Sequence, residues 1–431
     1  MLYERWRKIA GERRNEIALR DFASGIRWTF CELFFEGEKC GAKGEIIFPA
    51  GHSPKFIFQL LAAWRENKII CPLEAGQGGA SVLESRDDVK LLTNRLSRTL
   101  APPIVHLKTT SATTGAARFV AFTAEQLAAD AENIVATMGL RADWPSLGVI
   151  SLAHSYGFSN LILPLLLHGI PLILAPAPLP EIVRRAAETE KSITLAAVPA
   201  MWRAWHEANA IPKNIRLAIS AGSPLPLNLE QDVFKSCGIK IHNFLGSSEC
   251  GGIAYDATDL PRKDAACVGS PMQNLNLSLN DDSCLIVRSR AVAETYWPEK
   301  SSSLGDGFFQ TSDLADLKDG KVFLRGRLGD QINVAGRKIS PETIERALLA
   351  NPKVRGCLVF GVPSRDAERT EIIVAVIAGD VTENELKHFL MQTLPAWQLP
   401  RKWKFVESLS TNTRGKISRA EWRAIFVREQ T

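Results

Sequence analysis

The sequence has no C-x-x-C pair among its eight cysteines, and the closest two, Cys31 and Cys40, stand nine apart. A zinc site built on paired thiolates is therefore not expected. A chain this long does not need a disulfide framework, and scattered reduced thiols fit a cytoplasmic protein. No dense run of lysine and arginine occurs. A net charge of +5 does not point to nucleic acid, although it suits polyphosphate ligands. No apolar stretch is long enough for a transmembrane segment. The most apolar one, residues 161–176, is interrupted by Pro164, His168, Gly169 and Pro171 and reads as a core helix followed by a buried strand. The opening residues MLYERWRKIAGERRNE lack the apolar centre of a signal peptide. Internal repeats and low-complexity segments are also lacking.

What is present is length and alternation. The 431 residues exceed the roughly 250–300 at which one core stops growing, so at least two domains are expected. Strand-like runs at 45–48, 118–122, 148–152, 194–198, 216–221 and 240–244 alternate with helical patterns. Helices are expected over 56–64 and 124–138. The second has Leu127, Ala131, Ile134, Val135 and Met138 on one face and a capping box formed by Thr123 and Gln126. Such alternation predicts α/β layers with largely parallel strands.

The last hundred residues read as a small α+β unit. Ser340 and Pro341 start a helix that runs to Leu349. Strands follow at 355–362, 371–377 and 404–406. Thr382 and Glu385 cap a helix over 383–394, and a final helix covers 419–427. The glycine- and charge-rich segment 326–336 reads as the junction between the two parts.

Five segments carry side chains suited to nucleotide chemistry. Residues 109–118, TTSATTGAAR, offer hydroxyls and backbone N–H groups to phosphate oxygens just before a strand. Residues 243–252, NFLGSSECGG, put Glu249 at a strand's carboxyl end, where a carboxylate can hold Mg²⁺ beside phosphates. Residues 309–314, FQTSDL, put Asp313 where it can accept hydrogen bonds from ribose hydroxyls. The other two are 326–341, GRLGDQINVAGRKISP, and 412–419, NTRGKISR, which contains Lys416. Taken singly, each also reads as an ordinary solvated turn or loop.

In this order and at these separations the five segments resemble the motifs of the adenylate-forming superfamily: acyl-CoA synthetases, peptide-synthetase adenylation domains and luciferases. The resemblance runs from about Thr109 to Arg419 and more weakly back to Gly44. Shorter matches at HSYG (154–157), Val198–Pro199, SAGSPL (220–225), VGSP (268–271) and Tyr296–Trp297 add to it. It implies an α/β fold. A large N-terminal domain of layered, largely parallel sheets with helices would span 1–326, and a small mobile α+β C-terminal domain 327–431.

The resemblance also implies roles. Thr110, Ser111, Thr113, Thr114 and Gly115 would hold the β- and γ-phosphates of ATP. Glu249 would bind Mg²⁺, and Ser248 would contact the α-phosphate with Gly246 and Ser247 beside it. Gly222, Ser223 and Pro224 would border adenine, Asn243 would meet its amino group, and Asp313 would clamp the ribose with help from Arg327. Lys416 would bridge the acyl carboxylate and the α-phosphate, and His154 would line the carboxylate end of the acid pocket. Tyr156, Phe158, Trp202 and Gly251–Gly252 would shape that pocket, with the two glycines leaving room for a bulky acid. Gly329 would be the hinge. Gly336 would let a pantetheine arm approach, from CoA or from an acyl carrier protein.

The sequence departs from the family pattern at several points. Ala112 replaces a glycine of the phosphate loop. Ala116 replaces a frequent lysine and leaves Arg118 as that loop's cation. Leu245 replaces the aromatic over adenine, a loss of about 1 kcal/mol of stacking. Ser312 and Asn333 replace a glycine and a lysine. Only 108 residues precede the phosphate loop, which implies a reduced outer N-terminal subdomain. The expected activity is ATP-dependent activation of a carboxylic acid and transfer to a thiol. The alternatives are an adenylating enzyme with another acceptor, and a non-catalytic nucleotide- or acyl-binding homologue.

Overall fold

The computed structural model describes residues 1–76, 103–110, 118–364, 371–409 and 418–429. Its backbone is a sheet of fourteen strands. Six form its parallel middle: Ile17–Asp21, Leu172–Leu174, Ser146–Gly148, Ile193–Ala197, Ile215–Ser220 and Ile241–Ser247. All five residues of Ile193–Ala197 are buried, as a strand covered on both faces requires. Beyond Ile241–Ser247 the sheet continues antiparallel through Gly251–Tyr255, Cys267–Pro271, Lys321–Arg327 and Phe308–Lys318. A second sheet of five strands holds Ile104–Thr110 between Ile69–Ile70 and Arg118–Thr123. The fold is thus α/β, with the parallel strands in the middle and antiparallel extensions outside.

The helix Ala124–Met138 has the expected limits and both bonds of the Thr123–Gln126 capping box, and it ends at left-handed Gly139. It packs against the helix Leu163–His168 and the strand Gly251–Tyr255. Its buried face carries Leu127, Ala131 and Ile134, and also Asp130. The apolar stretch at 161–176 forms the end of a π-helical turn, the Leu163–His168 helix and the Leu172–Leu174 strand. No described helix is long and apolar enough to cross a membrane. A buried ion network straps the helix Leu227–Cys237 to its neighbours: Glu230 binds Lys240 and Arg262, and Lys240 also binds Asp256.

Two expected elements differ. The strand expected at 148–152 is Ser146–Gly148. Val149, Ile150 and Leu152 are buried but lie beyond the ladder, because the chain leaves the sheet there to present His154. The helix expected over 383–394 stops at Met391, where the N–H groups of Thr393 and Leu394 both turn back to the Leu390 carbonyl ahead of Pro395.

The C-terminal residues form a three-stranded sheet of Val354–Pro363, Glu371–Gly379 and Lys402–Val406. One face packs Val359, Ile373 and Ile377 under Ile344, Leu348 and Leu386. The other packs Phe360 and Val374 under Trp422 and Phe426. The helix Pro341–Leu349 starts with proline as expected, but the Ser340 side chain does not cap it. Its Arg346 donates to the Leu324 carbonyl at 2.8 Å, and Asn228 donates to the Leu349 carbonyl at 3.4 Å. Arg419 begins the last described helix, Arg419–Arg428. Its guanidinium donates to the Val359 carbonyl at 2.8 Å, to Glu345 at 2.9 Å and to Asp330, and it pairs with Glu342 at 3.1 Å.

Candidate active site

The carboxyl ends of the parallel strands gather most of the expected residues, as in open α/β sheets generally. Ser220, the last residue of its strand, is the register partner of buried Asn243 in the neighbouring strand Ile241–Ser247. The chain after Ser220 turns through exposed Gly222, Ser223 and Pro224. Further along Asn243's strand, Gly246 pairs with Gly252 and Ser247 with Gly251, so Ser248 and Glu249 lie at the tip of a tight hairpin.

Glu249 is held from three sides. Its N–H donates to Ser247 Oγ at 3.2 Å, and its carbonyl accepts from the Ala293 N–H at 2.9 Å. Its carboxylate accepts the Tyr296 hydroxyl at 3.2 Å. The Arg118 guanidinium lies 3.5 Å from the centre of the Tyr296 ring. Burial raises the Tyr296 phenol above its ordinary range, and the negative charge of Glu249 adds to this, so Tyr296 stays a donor. No cluster of three or more acidic, histidine or cysteine ligands occurs among the described residues. A magnesium ion needs none, since one or two carboxylates and the substrate's phosphates suffice. Glu249 fits such a role, because among the described residues the Tyr296 hydroxyl is the one hydrogen-bond donor that reaches its carboxylate.

Tyr296 belongs to the short Tyr296–Trp297 sequence match, which by itself says nothing of Glu249; the contact emerges from the pairing of Thr295–Trp297 with Arg118–Thr123. Tyr296→Phe should keep the ring under Arg118 and remove the hydrogen bond. The expected loss is about 1–2 kcal/mol, roughly tenfold in turnover at low magnesium. Titrating activity with magnesium checks it: a midpoint equal to that of the wild type would refute the contact's importance.

Ser248 accepts a hydrogen bond from Ser155 at 3.1 Å, which ties this hairpin to the HSYG segment. His154 caps the short helical turn Ser155–Gly157, its Nδ1 accepting from the Tyr156 N–H at 3.3 Å. Gly157 permits that turn: a Cβ there would sit 2.0 Å from the Ser151 carbonyl oxygen.

Across the sheet, Asp313 and Arg327 are register partners on adjacent antiparallel strands. Arg327 Nε donates to the Asp313 carboxylate at 2.9 Å, and Asp313 N–H donates to Thr311 Oγ1 at 3.0 Å. The neighbouring Asp313 charge raises the Arg327 guanidinium above its ordinary range. Gly329 lies in the single turn Leu328–Asp330, with nothing within 4 Å of where a Cβ would stand. Gly336 is at the tip of the hairpin made by Ile332–Val334 and Arg337–Ile339, where 335–338 are exposed. Thr110 ends the strand Ile104–Thr110 opposite Arg118. Ser111, Thr113, Thr114, Gly115 and Lys416 lie outside the described residues.

The acid pocket differs from expectation. Trp202 is fully buried and donates to the Ile219 carbonyl at 3.2 Å, and the Tyr156 hydroxyl is 3.4 Å from the Ala197 and Ile219 carbonyls. Both side chains brace the strand ends from within the core. Gly251 and Gly252 open no space either. A Cβ on Gly251 would stand 1.9 Å from Asp130 Oδ1, and one on Gly252 2.2 Å from Met272 Sδ.

The chain is similar to known proteins. Residues 93–297 match the family model of the AMP-binding enzyme, and residues 343–416 match that of the AMP-binding enzyme C-terminal domain. Together they cover more than half of the chain. Over 243 residues the chain is 28% identical to an uncharacterized acyl–CoA ligase, YhfT, of Bacillus subtilis (strain 168), a match over 54% of this chain and 50% of that protein. Here, then, the chain spans half of its relative's length. Over 333 residues it is 26% identical to the 2-succinylbenzoate–CoA ligase of Bacillus cereus (strain Q1), a match over 73% of this chain and 69% of that one. The crystal structure of ATP-bound MatB from Rhodopseudomonas palustris superposes with a TM-score of 0.86 at 19% identity, over 100% of both chains, which establishes the fold.

Proposed function

The chain belongs to the adenylate-forming AMP-binding enzyme family, and from that premise we propose that it is an acid–thiol ligase that makes an acyl-adenylate from a carboxylic acid and ATP and passes the acyl group to CoA. The observation that carries this reading is the pair of braced carboxylates. Glu249, at a hairpin of the fourteen-stranded sheet, is held by Tyr296 of the five-stranded sheet, and Asp313, on a strand of the larger sheet, by Arg327. The acceptor follows the relatives, which are CoA ligases.

In the first half-reaction a carboxylate oxygen of the acid attacks the α-phosphorus. The bond to the bridging oxygen breaks and pyrophosphate leaves. Both reactants are anions, so the barrier is electrostatic. Magnesium held at Glu249 would supply charge screening on the phosphates. Asp313 and Arg327 fix the ribose, and Gly222–Pro224 with Asn243 border the adenine, so the attack is in line. Gly246, Ser247 and Ser248 surround the α-phosphate. The hydroxyls from Thr110 to Thr114, with Gly115, take the outer phosphates. His154 lines the acid's reacting end, and Lys416 neutralises charge that builds on the α-phosphoryl oxygens.

In the second half-reaction a thiolate attacks the acyl carbon and AMP leaves. We assign residues 1–326 to the domain that binds ATP and acid, and 327–431 to a domain that turns about Gly329. The turn withdraws Lys416 and brings in the Gly336 hairpin, whose bare backbone leaves room for the pantetheine arm. Gly329→Pro is expected to spare pyrophosphate release and to block thioester formation. Equal overall turnover in mutant and wild type would remove the hinge assignment. The reading as a whole is tested by pyrophosphate release with a panel of acids, followed by product analysis with CoA or a phosphopantetheinylated carrier protein. No acid-dependent release would end it, and transfer to the carrier protein alone would replace CoA as the acceptor.

A further inference from the structure

The strand Ile104–Thr110 leads into the phosphate-loop segment and carries His106 and Lys108, which share a face of the strand. Both are buried, at 0% and 4% exposure. Lys108 Nζ and both ring nitrogens of His106 lack a hydrogen-bond partner among the described residues. Lys108 Nζ stands 4.5 Å from the centre of the Phe122 ring, and the His106 ring centre is 4.3 Å from that of Phe158. The nearby buried acid, Asp130, spends its oxygens on neutral donors: Ser159 Oγ at 2.6 Å and the Gly252 N–H at 3.2 Å.

A buried ammonium without a hydrogen-bond acceptor is costly, and so is a buried imidazole with neither nitrogen engaged. A structural lysine would close onto Asp130, as Lys240 closes onto Glu230 and Asp256 elsewhere in this chain. Lys108 does not. The groups around this face belong to segments of the candidate site: Phe158, against His106, follows His154 by four residues, and Asp130 holds the Gly252 N–H of the hairpin that carries Glu249. Burial draws the ammonium below its ordinary range. The charges of Asp130 and of the Cys250–Glu249 turn act in the opposite direction, which sets Lys108 within electrostatic reach of the hairpin that carries Glu249.

We propose that Lys108, with His106 beside it, is a second anchor for the acid substrate, and that this acid carries a second carboxylate at the end remote from the one activated. The inference rests on the acid-activation reading above. A carboxylate would supply the acceptor that Lys108 lacks and would neutralise a buried charge. It would leave a hydrogen-bond donor of the imidazole to complete the contact. An uncharged acid of the same length would leave both groups unsatisfied, and such sites discriminate strongly.

The test compares pyrophosphate release from aliphatic and aromatic diacids with that from their monomethyl esters, in the wild type and in Lys108→Met. The wild type should prefer the diacid by about 100-fold in kcat/KM, equivalent to about 2.7 kcal/mol. Lys108→Met should cut that preference below about tenfold and leave KM for ATP within about twofold. Should Lys108→Met fail to fold, as read by circular dichroism, Lys108→Arg keeps the charge and should keep the preference. Equal use of diacid and ester by the wild type, or a preference unchanged in Lys108→Met or lost in Lys108→Arg, overturns the proposal. Release with uncharged acids alone overturns the second anchor and leaves acid activation standing. No release with any acid overturns both.

Discussion

Replacing Lys416 by alanine is expected to lower acyl-adenylate formation by about 10²–10³-fold, the cost of one oxyanion donor in a preorganised site. The lysine stands two residues before Ser418, whose Oγ caps the helix Arg419–Arg428 by accepting from the Glu421 N–H at 3.3 Å. That anchorage belongs to the backbone and to Arg419, so the substitution should leave the fold intact. The contacts proposed for the nucleotide with Asp313, Arg327 and the adenine-bordering turn do not involve Lys416, so ATP affinity measured by calorimetry should stay within about twofold. Acid-dependent ATP–pyrophosphate exchange reads the loss directly. Thioester formation from a supplied acyl-adenylate should persist, because the proposed turn withdraws the lysine in that step. Normal exchange by Lys416→Ala would remove it from the mechanism.

Glu249→Gln is expected to have the next largest effect, roughly 10²-fold on adenylation. The amide keeps the shape of the side chain and an oxygen that can accept from Tyr296. It loses the charge that would hold magnesium against the phosphates. The magnesium midpoint should rise, while the melting temperature should shift by no more than a few degrees. Removing free magnesium with a chelator should abolish the wild-type reaction and add little to the defect of the variant. A magnesium response identical to the wild type would show that the carboxylate serves another purpose.

The local signals that were legible in the sequence are those whose cause is local. The helix Ala124–Met138 follows from a reciprocal cap, a regular apolar face and a closing glycine, all between Thr123 and Gly139, and the structure has those limits. The motif segments were legible for a different reason: each states a backbone geometry and a charge at once, as at Glu249 in its hairpin and Asp313 opposite Arg327. The strand at 148–152 was misplaced because buried apolar residues look alike in a ladder and just past one.

The polar side of Ile104–Thr110 was the least legible part. His106 and Lys108 alternate with Val105 and Leu107 as a solvent-facing edge would. Only the arrival of Phe122 and Phe158 from distant segments covers that edge and turns two ordinary polar residues into buried ones. The pocket glycines failed in the same way. Gly251 and Gly252 look like room for a ligand, but their bare Cα atoms accommodate Asp130 and Met272.

Arg419 gives the C-terminal part a mechanical property. Its guanidinium grips Asp330, Glu342 and Glu345 together, so one end of the grip is a single residue past Gly329 and the other only three past Lys416. On the proposed turn about Gly329, the grip would carry Asp330 and the start of the Arg419–Arg428 helix as one piece, like a crank. With the grip cut, that helix would no longer be tied to Asp330.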